Sequence, residues 1–459
     1  MKIGILPLAR ATFDVDFAAE KLAAMLQLLD GLGHQIAGPR DLLFDDDATR
    51  AAIAQLQAAD IDLLLVLQVT FTDAQAIVAA GAAFDQPLAI WAVPEPRNGG
   101  RLRLNSFCGL NLASHALGLG GRRFSWLYAA PDPAAGDNLR DLLAGRRRAG
   151  RTAAQPATAE PDASARAAAA SLRGKRIGRI GQHPPGFDTC AYDDAALRDL
   201  AGVTVEAMDL NVLFTGADVQ NSATVAASRE LAMTTAPALD TVDQPQLDKS
   251  LRLHGALSRL GQQFDAFAIR CWPEMFTEYG GAVCGPAAMM GEVRTPCACE
   301  ADVYGAVTQL LLQEVARAPV FLTDLVDVDT ADDSAVVWHC GQAPASMRTP
   351  GVAATATVHT NRKMPLLFEF PLKPGRVTLM RISQALGSPK MLISTGDMLA
   401  RPMAFTGTSG QFRPDRGAAR FLNGLIDCGA EHHMALAYGD HADALRGVAA
   451  ALELPICEF

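Results

Sequence analysis

The sequence lacks a basic excess, a long apolar run and a secretory signal. Its 40 Lys and Arg against 50 Asp and Glu give a net charge of −10, which argues against a nucleic-acid partner. The most apolar stretch, residues 61–69, is far too short to span a bilayer. No basic segment followed by an apolar one opens the chain. We therefore expect a cytoplasmic protein without a membrane partner.

Motifs for phosphate loops, structural zinc and nucleophilic catalysis are missing as well. The Gly-rich segment 99–109 leads into a predicted helix but contains neither G-x-G-x-x-G nor G-x-x-x-x-G-K-[ST]. Cys297 and Cys299 form a C-x-C pair, and no second pair completes a zinc site, so we interpret the cysteines as buried, reduced thiols. No G-x-S-x-G elbow is present.

The pattern of apolar segments predicts the fold class. Continuous apolar strands alternate with helices through the first two thirds of the chain, which is typical of parallel βαβ units. After Ala318, short strands separated by turn residues indicate an antiparallel sheet or small barrel. We therefore predict an α/β protein with two doubly wound α/β domains, residues 1–135 and 136–317, followed by a mainly antiparallel, barrel-like β domain, residues 318–459.

Two acidic motifs follow predicted strands. They are Cys-Trp-Pro-Glu, ending at Glu274, and Cys-Glu-Ala-Asp, ending at Asp302. Ligands bind outside the carboxyl ends of strands in open α/β sheets, so these two acids are candidates to hold Mn²⁺ or Mg²⁺ through oxygen. Two solvated acids at the sheet edge are the alternative. Glu300 competes with Asp302, and it is equally suited to the first turn of the next helix.

Histidines in the last third of the chain supply candidate nitrogen donors. His432 and His433 precede an apolar strand. Because adjacent residues of a strand point to opposite faces, we expect only one of these imidazoles to face a given site. His339, in the segment Trp-His-Cys-Gly, is a candidate metal ligand, substrate-binding group or structural histidine.

These motifs together resemble the L-fucose isomerase and L-arabinose isomerase superfamily, over nearly the whole chain. The segments that carry the resemblance are 271–274, 299–305, 338–341 and 432–440. The resemblance implies two α/β domains and a β-rich domain, an aldose–ketose isomerase, and a homo-oligomer that completes each site with a neighbouring subunit. Residues 99–109 are the segment that we expect to reach across.

The resemblance also implies a metal site. Fucose isomerases hold a metal, usually Mn²⁺, with a Glu, an Asp and a C-terminal His, which correspond to Glu274, Asp302 and His433; Mg²⁺ or Co²⁺ are alternatives. Arabinose isomerases use a further His, matched here by His339, and in that arrangement Glu300 is the acidic ligand instead. The residues that we expect to contact substrate are Trp272, Glu300, Tyr304, Trp338, His339 and His432.

The expected chemistry is a proton transfer between C1 and C2 of a pentose, deoxyhexose or modified hexose through a metal-stabilised enediolate. Glu274 and Asp302 would then serve as the acid–base pair as well as ligands. A metal-dependent epimerase or lyase using the same enediolate is one alternative. A sugar-binding or regulatory protein without catalysis is another, because the first 130 residues also look like half of a periplasmic binding protein.

Overall fold

The computed structural model describes residues 1–147 and 153–459. Over these residues the strands form two parallel sheets followed by one large, mostly antiparallel sheet. The predicted fold class is therefore confirmed. Among the helices of the described residues, none combines the length and the apolar character that crossing a membrane would require. The boundaries at 135/136 and 317/318 stay predictions.

The first sheet is parallel, with the strand order β2-β1-β3-β4-β5. Its central strand β3 reads Leu-Leu-Leu-Val-Leu-Gln and is buried throughout, as expected where helices cover both faces of a sheet. The strands are β1 (Lys2–Leu8), β2 (Gln35–Ala37), β3 (Leu63–Gln68), β4 (Leu88–Ala92) and β5 (Ser125–Tyr128). The helices are α1 (Val15–Asp30), α2 (Asp46–Gln57), α3 (Gln75–Ala83), α4 (Ser106–Leu119) and α5 (Gly136–Leu143).

The second sheet is also parallel, with the order β7-β6-β8-β9. Its strands are β6 (Arg176–Ile180), β7 (Thr204–Met208), β8 (Ala266–Ile269) and β9 (Cys297–Ala298). Its helices are α6 (Ala163–Ala170), α7 (Asp194–Ala201), α8 (Leu210–Asp218), α9 (Ser222–Thr235), α10 (Gln244–Leu260), α11 (Cys284–Glu292) and α12 (Val303–Ala316). Most of these helices begin after an Asp or Asn whose side chain accepts a backbone N–H of the first turn.

The third sheet closes into a barrel. Its strands are β10 (Phe321–Asp329), β11 (Ser334–His339), β12 (Thr355–Thr357), β13 (Leu367–Pro371), β14 (Gly375–Ser383), β15 (Lys390–Met398), β16 (Thr408–Pro414), β17 (His433–Tyr438) and β18 (Ile456–Glu458). Antiparallel pairing runs β16-β11-β10-β17-β14-β15, and β15 pairs back to β16. The strands β13 and β18 attach in parallel to β16 and β15. Helices α13 (Ala418–Asp427) and α14 (Ala442–Ala451) complete the chain.

Helix α4 joins the first sheet to the barrel. Nearly all of its residues are buried, because it lies between the sheet and the segment that leads into β17. The amide of Asn111 donates to the carbonyl of Ala430, and Nδ1 of His115 lies 2.8 Å from the carbonyl oxygen of Gly429. These contacts fix the segment that ends at His433 against the first sheet.

Candidate active site

Two neighbouring barrel strands and one turn bring three donors together. Asp324 in β10 is the direct cross-strand partner of His433, the first residue of β17, so their side chains share a face. Glu300 lies in the turn between β9 and α12. Nε2 of His433 lies 3.3 Å from Oδ1 of Asp324 and 3.8 Å from Oε2 of Glu300.

Several polar atoms at this point are buried without a hydrogen-bond partner. They include Oδ1 of Asp324, Nε2 of His339 and Nε2 of His433. Among the described residues, two groups of side chains are close enough to share a metal ion, and both contain His433. One group adds Asp324 and His339, and the other adds Cys190, Glu300 and His432. Leaving buried polar atoms without a partner is energetically costly, so the convergence of these atoms indicates a site that a bound ion or ligand completes.

The hydrogen bonds of His433 and His339 distinguish their roles. Nδ1 of His433 lies 2.9 Å from a carboxylate oxygen of Asp302, which can only accept, so Nδ1 carries the proton and Nε2 presents its lone pair. Nδ1 of His339 instead accepts the backbone N–H of Cys340 at 2.8 Å. Burial lowers the pKa of His339 well below its usual value, so its ring is neutral and carries one proton. Since Nδ1 accepts, this proton is on Nε2. His433 is arranged as a metal ligand and His339 as a hydrogen-bond donor.

Glu300 is held as an ionised carboxylate. One oxygen accepts the indole N–H of Trp272 at 2.9 Å, and the other lies 2.9 Å from Nε2 of His432. Burial alone would raise the pKa of Glu300, but these hydrogen bonds and the nearby His433 hold it at about 2. Glu300 and Ala301 both have left-handed backbone angles, φ 57° and 56°, and such strain is typical of functional sites.

Asp324 has little compensation for its charge. It is only 8% exposed, and burial raises its pKa to about 7. Its contact with His433 lacks the alignment of a hydrogen bond, since Oδ1 has no partner. A carboxylate in this state is suited to a bound cation or to proton transfer near neutral pH.

Asp302, predicted as a ligand and catalytic acid, has a different position. Both of its oxygens are occupied, at 2.5 and 2.9 Å from the guanidinium of Arg381, while Oδ1 also caps α12 through the N–H of Gly305. Asp302 and Arg381 are both fully buried. Since the remaining contact of Asp302 goes to Nδ1 of His433, its arrangement orients that imidazole rather than adding a ligand.

Glu274, the other predicted acid, lines a separate cavity at the carboxyl edge of the second sheet. This second-sheet cavity also contains Arg179, Arg270 and Glu278. Arg270, four residues earlier, binds both carboxylate oxygens of Glu274 at 2.6 Å. In the described parts of the chain, neither group of close donors includes Glu274 or Asp302. The structure thus does not assemble the predicted set of Glu274, Asp302 and His433.

The remaining predicted residues mostly meet in one pocket beside Asp324. This active-site pocket is lined by Trp272, Glu300, Asp324, Trp338, His339 and His432. Tyr304 is absent from the lining, because it faces the core between α12 and the barrel. His432 and His433 both approach Glu300, so the expectation that only one would face the site is wrong: β17 begins at His433, and His432 lies in the bend before the strand.

The Gly-rich segment contributes to the pocket of its own chain. Leu102 and Asn105 line the pocket, and Gly99 and Gly100 form backbone hydrogen bonds with Ala404 and Thr406 beside the barrel. A contribution of this segment to a neighbouring subunit stays a prediction.

Sequence reasoning missed Asp324 and Arg381. Each interrupts an otherwise apolar strand, in Phe-Leu-Thr-Asp-Leu-Val and Thr-Leu-Met-Arg-Ile-Ser. A charged residue at a buried strand position needs a partner or a function, and this signal could have found both residues.

Comparison with known proteins identifies the family of the chain. Residues 4–144 match the N-terminal domain of the fucose/sulfoquinovose isomerases, and residues 368–459 match the C-terminal domain of L-fucose isomerase. The sulfoquinovose isomerase of Alkalicoccus urumqiensis is 31% identical over 99% of this chain and 98% of its own length. That of Priestia aryabhattai is 30% identical over 96% of this chain and 95% of its own.

The chain belongs to the L-fucose isomerase family. It is therefore an enzyme, an aldose–ketose isomerase that acts on a sugar, and not a sugar-binding protein without catalysis. The family is metal-dependent in general, and the donor groups around His433 are the residues of this chain that could hold an ion.

Proposed function

We propose that this isomerase converts sulfoquinovose to its ketose, with a divalent cation held by Glu300, Asp324 and His433. One observation carries the proposal: Oδ1 of Asp324 and Nε2 of His433 are buried and unpartnered, and both lie close to the ionised Glu300. These ligands replace the set of Glu274, Asp302 and His433 expected from the sequence.

The donor chemistry fits such an ion. Two carboxylates and one imidazole form an oxygen-rich set that suits Mn²⁺, and Mg²⁺ and Co²⁺ are the alternatives to test. A cation would compensate Asp324, whose charge burial disfavours, and would satisfy the lone pair of His433. When bound, it would polarise the sugar carbonyl and stabilise negative charge on the sugar oxygens.

The carboxylates of the pocket carry the proton. In the aldose-to-ketose direction, one carboxylate accepts the proton from C2, the C1–C2 enediolate forms, and the proton returns at C1. A second proton moves from the hydroxyl on C2 to the oxygen on C1, so no atoms are gained or lost. We assign this carboxylate role to Glu300 and Asp324, since no other acid lines the pocket among the described residues.

Other residues of the pocket bind and orient the sugar. Nε2–H of His339 is a free donor for a sugar oxygen, while the buried Oδ1 atoms of Asn105 and Asn361 are free acceptors for hydroxyls. Trp272 offers a ring for packing against the apolar face of the sugar while its N–H holds Glu300.

The substrate assignment is supported by the relatives, whose names describe them as sulfoquinovose isomerases. Sulfoquinovose is glucose with a sulfonate in place of the 6-hydroxyl. The test is to incubate the Mn²⁺-loaded enzyme with sulfoquinovose in heavy water and follow ketose formation and deuterium uptake by NMR. Conversion supports the proposal, and no conversion of sulfoquinovose by the loaded enzyme would overturn it.

We also propose that the enzyme is a cytoplasmic homo-oligomer. A reducing compartment suits its nine cysteines, most of which are buried. Apolar side chains are exposed in α8, directly after it and in α9, among them Val212 at 44%, Val219 at 66% and Met233 at 46%, and would be covered in an assembly. Sedimentation of the active enzyme tests the assembly, and a fully active monomer would contradict it.

A further inference from the structure

One loop of the barrel is held rigidly over the active-site pocket. Residues 358–366 join β12 to β13, and His359, Asn361 and Arg362 of this loop line the pocket. Nδ1 of His359 accepts the backbone N–H groups of Asn361 and Arg362, both at 3.2 Å. Burial lowers the pKa of His359 to about 4, so its ring is neutral and Nδ1 is free to accept. The loop is thus shaped before substrate arrives.

The far side of the His359 ring anchors the loop to the barrel. Nε2 of His359 lies 3.4 Å from Sγ of Cys340, which follows β11. The ring also packs edge-on against Phe276 with centroids 5.1 Å apart. These contacts fix the backbone of the loop at Arg362 and thereby hold its side chain at the pocket.

The guanidinium of Arg362 is half-buried and uncompensated. Among the described residues, no carboxylate forms an ion pair with Arg362, although most arginines near the protein core have one. Burial and the nearby charge of Arg10 lower the pKa of Arg362. Arg10 itself lies 2.9 Å from Asp73 and packs against Phe71 and Trp272, so part of its charge is compensated. Two neighbouring cations whose charge is only partly compensated by one acid attract an anion.

These cations are not partners of the pocket acids. Within the described residues, no ion pair joins Arg10 or Arg362 to Glu300 or Asp324, and the acids have His432, Trp272 and His433 as neighbours. The pocket therefore has a region for the reacting C1 and C2 atoms and a separate cationic region.

We propose that Arg362, supported by Arg10, binds a terminal oxyanion of the substrate and selects a sulfonated sugar over a neutral one. This inference rests on the proposed function, because it needs C1 and C2 to lie at Glu300 and Asp324. A guanidinium forms charge-assisted hydrogen bonds to sulfonate, phosphate or carboxylate oxygens, and the pairing relieves the repulsion between the two arginines.

The test compares substrates that differ only at C6. Sulfoquinovose, glucose 6-phosphate, glucuronate and glucose are assayed with the Mn²⁺-loaded wild type and with the Arg362→Gln, Arg362→Lys and Lys363→Gln variants. Lys363 is the matched control, because it is the exposed cation next in the same loop. Thermal unfolding of each variant shows that it is folded.

We expect Arg362→Gln to lower the ratio of kcat/KM for sulfoquinovose to that for glucose by about 10- to 100-fold, mainly through KM. Arg362→Lys should retain part of the ratio and Lys363→Gln all of it. If the wild type instead prefers the 6-phosphate or the uronate, and Arg362→Gln removes this preference, the anion site is supported and that oxyanion is its ligand. An unchanged ratio in Arg362→Gln, or an equal loss in Lys363→Gln, would overturn the proposal.

A binding measurement separates this proposal from the proposed function. The alditol of sulfoquinovose cannot isomerise, so calorimetry with it is independent of turnover. If the wild type binds this alditol and Arg362→Gln binds at least about 10-fold more weakly, the anion site stands even for an enzyme that does not turn over sulfoquinovose. Equal binding by both proteins would refute it.

Discussion

The active-site pocket and the second-sheet cavity both place acids near the ends of strands, but they satisfy these acids differently. In the second-sheet cavity, Arg270 binds both oxygens of Glu274 and compensates its charge. In the active-site pocket, Asp324 and His433 each keep a buried atom without a partner. A carboxylate at a strand end is therefore a weak sign of a metal site, and an unsatisfied buried carboxylate is a strong one.

The largest expected effect is that of metal removal. Chelation should reduce turnover to background, because the ion would be the main electrophile for the oxygens on C1 and C2, and Mn²⁺ should restore it. Turnover by NMR and folding by circular dichroism are measured on the same samples. The fold should persist, since its largest apolar cores are built from side chains other than the proposed metal ligands. Full turnover in metal-free protein would contradict metal dependence and, with it, the contrast between the two cavities.

The second-largest effect is expected for substitution of the acids, which should lower kcat in the active-site pocket and not in the second-sheet cavity. Glu300→Gln and Asp324→Asn should each lower kcat by about 10²- to 10⁴-fold, because each removes a proton-accepting carboxylate and a ligand. Glu274→Gln is the matched control and should leave kcat within about twofold. It should change the free energy of unfolding by no more than about 1 kcal/mol, as for a surface ion pair. If Glu274→Gln inactivates the enzyme and Asp324→Asn does not, we have chosen the wrong cavity.

The fold and part of the candidate site could be predicted from the sequence. Apolar segments predicted the parallel sheets, because strands buried on both faces are continuous apolar runs, and short strands separated by turn residues predicted the antiparallel barrel. The motif ending at Asp302 was found, and the sequence favoured Asp302 over the competing Glu300 as the ligand, the reverse of the assignment that we propose. The helix cap and Arg381 saturate Asp302, and Arg381 lies 79 residues away in sequence. Spacing along the chain cannot reveal such a partner.

Glu274 and Asp324 show that the position of an acid along a strand does not by itself reveal its role. Glu274 follows a strand, as a ligand should, yet Arg270, four residues earlier in the sequence, forms an ion pair with it. Asp324 lies inside an apolar strand and was not singled out from the sequence. Its proposed role depends on the pairing of β17 with β10, which brings His433 beside it, and this pairing follows from the tertiary fold.

Asp302→Asn should have an intermediate effect. Loss of the carboxylate frees the Nδ1 proton of His433 from its acceptor, so metal affinity should fall by about 10- to 100-fold. It also removes the nearest counter-charge of the buried Arg381 and leaves only Glu431, 4.0 Å from Nε, so the free energy of unfolding should fall by about 3–5 kcal/mol. The double variant Asp302→Asn/Arg381→Met should recover stability but not metal affinity. Recovery of both would show that Asp302 does not act on the metal through His433.

The smallest effect concerns acid stability of the metal-free protein. The folded-state pKa of Glu300 is about 2, below its ordinary value of 4.5, so ionised Glu300 stabilises the fold above pH 4.5. This contribution, about 3 kcal/mol, is lost as the pH falls from 4.5 towards 2. Denaturant unfolding should show a flatter acid limb for Glu300→Gln than for the wild type, with Glu274→Gln close to the wild type. Identical acid limbs for wild type and Glu300→Gln would contradict the prediction.

The central claim is that the ion belongs to Glu300, Asp324 and His433. Calorimetric titration of Mn²⁺ into metal-free wild type, Asp324→Asn and Glu274→Gln tests it most directly, without reference to any substrate. We predict one site per chain in the wild type, the same affinity in Glu274→Gln, and binding at least about 10²-fold weaker in Asp324→Asn. Wild-type affinity in Asp324→Asn together with loss of binding in Glu274→Gln would contradict the claim and place the ion in the second-sheet cavity.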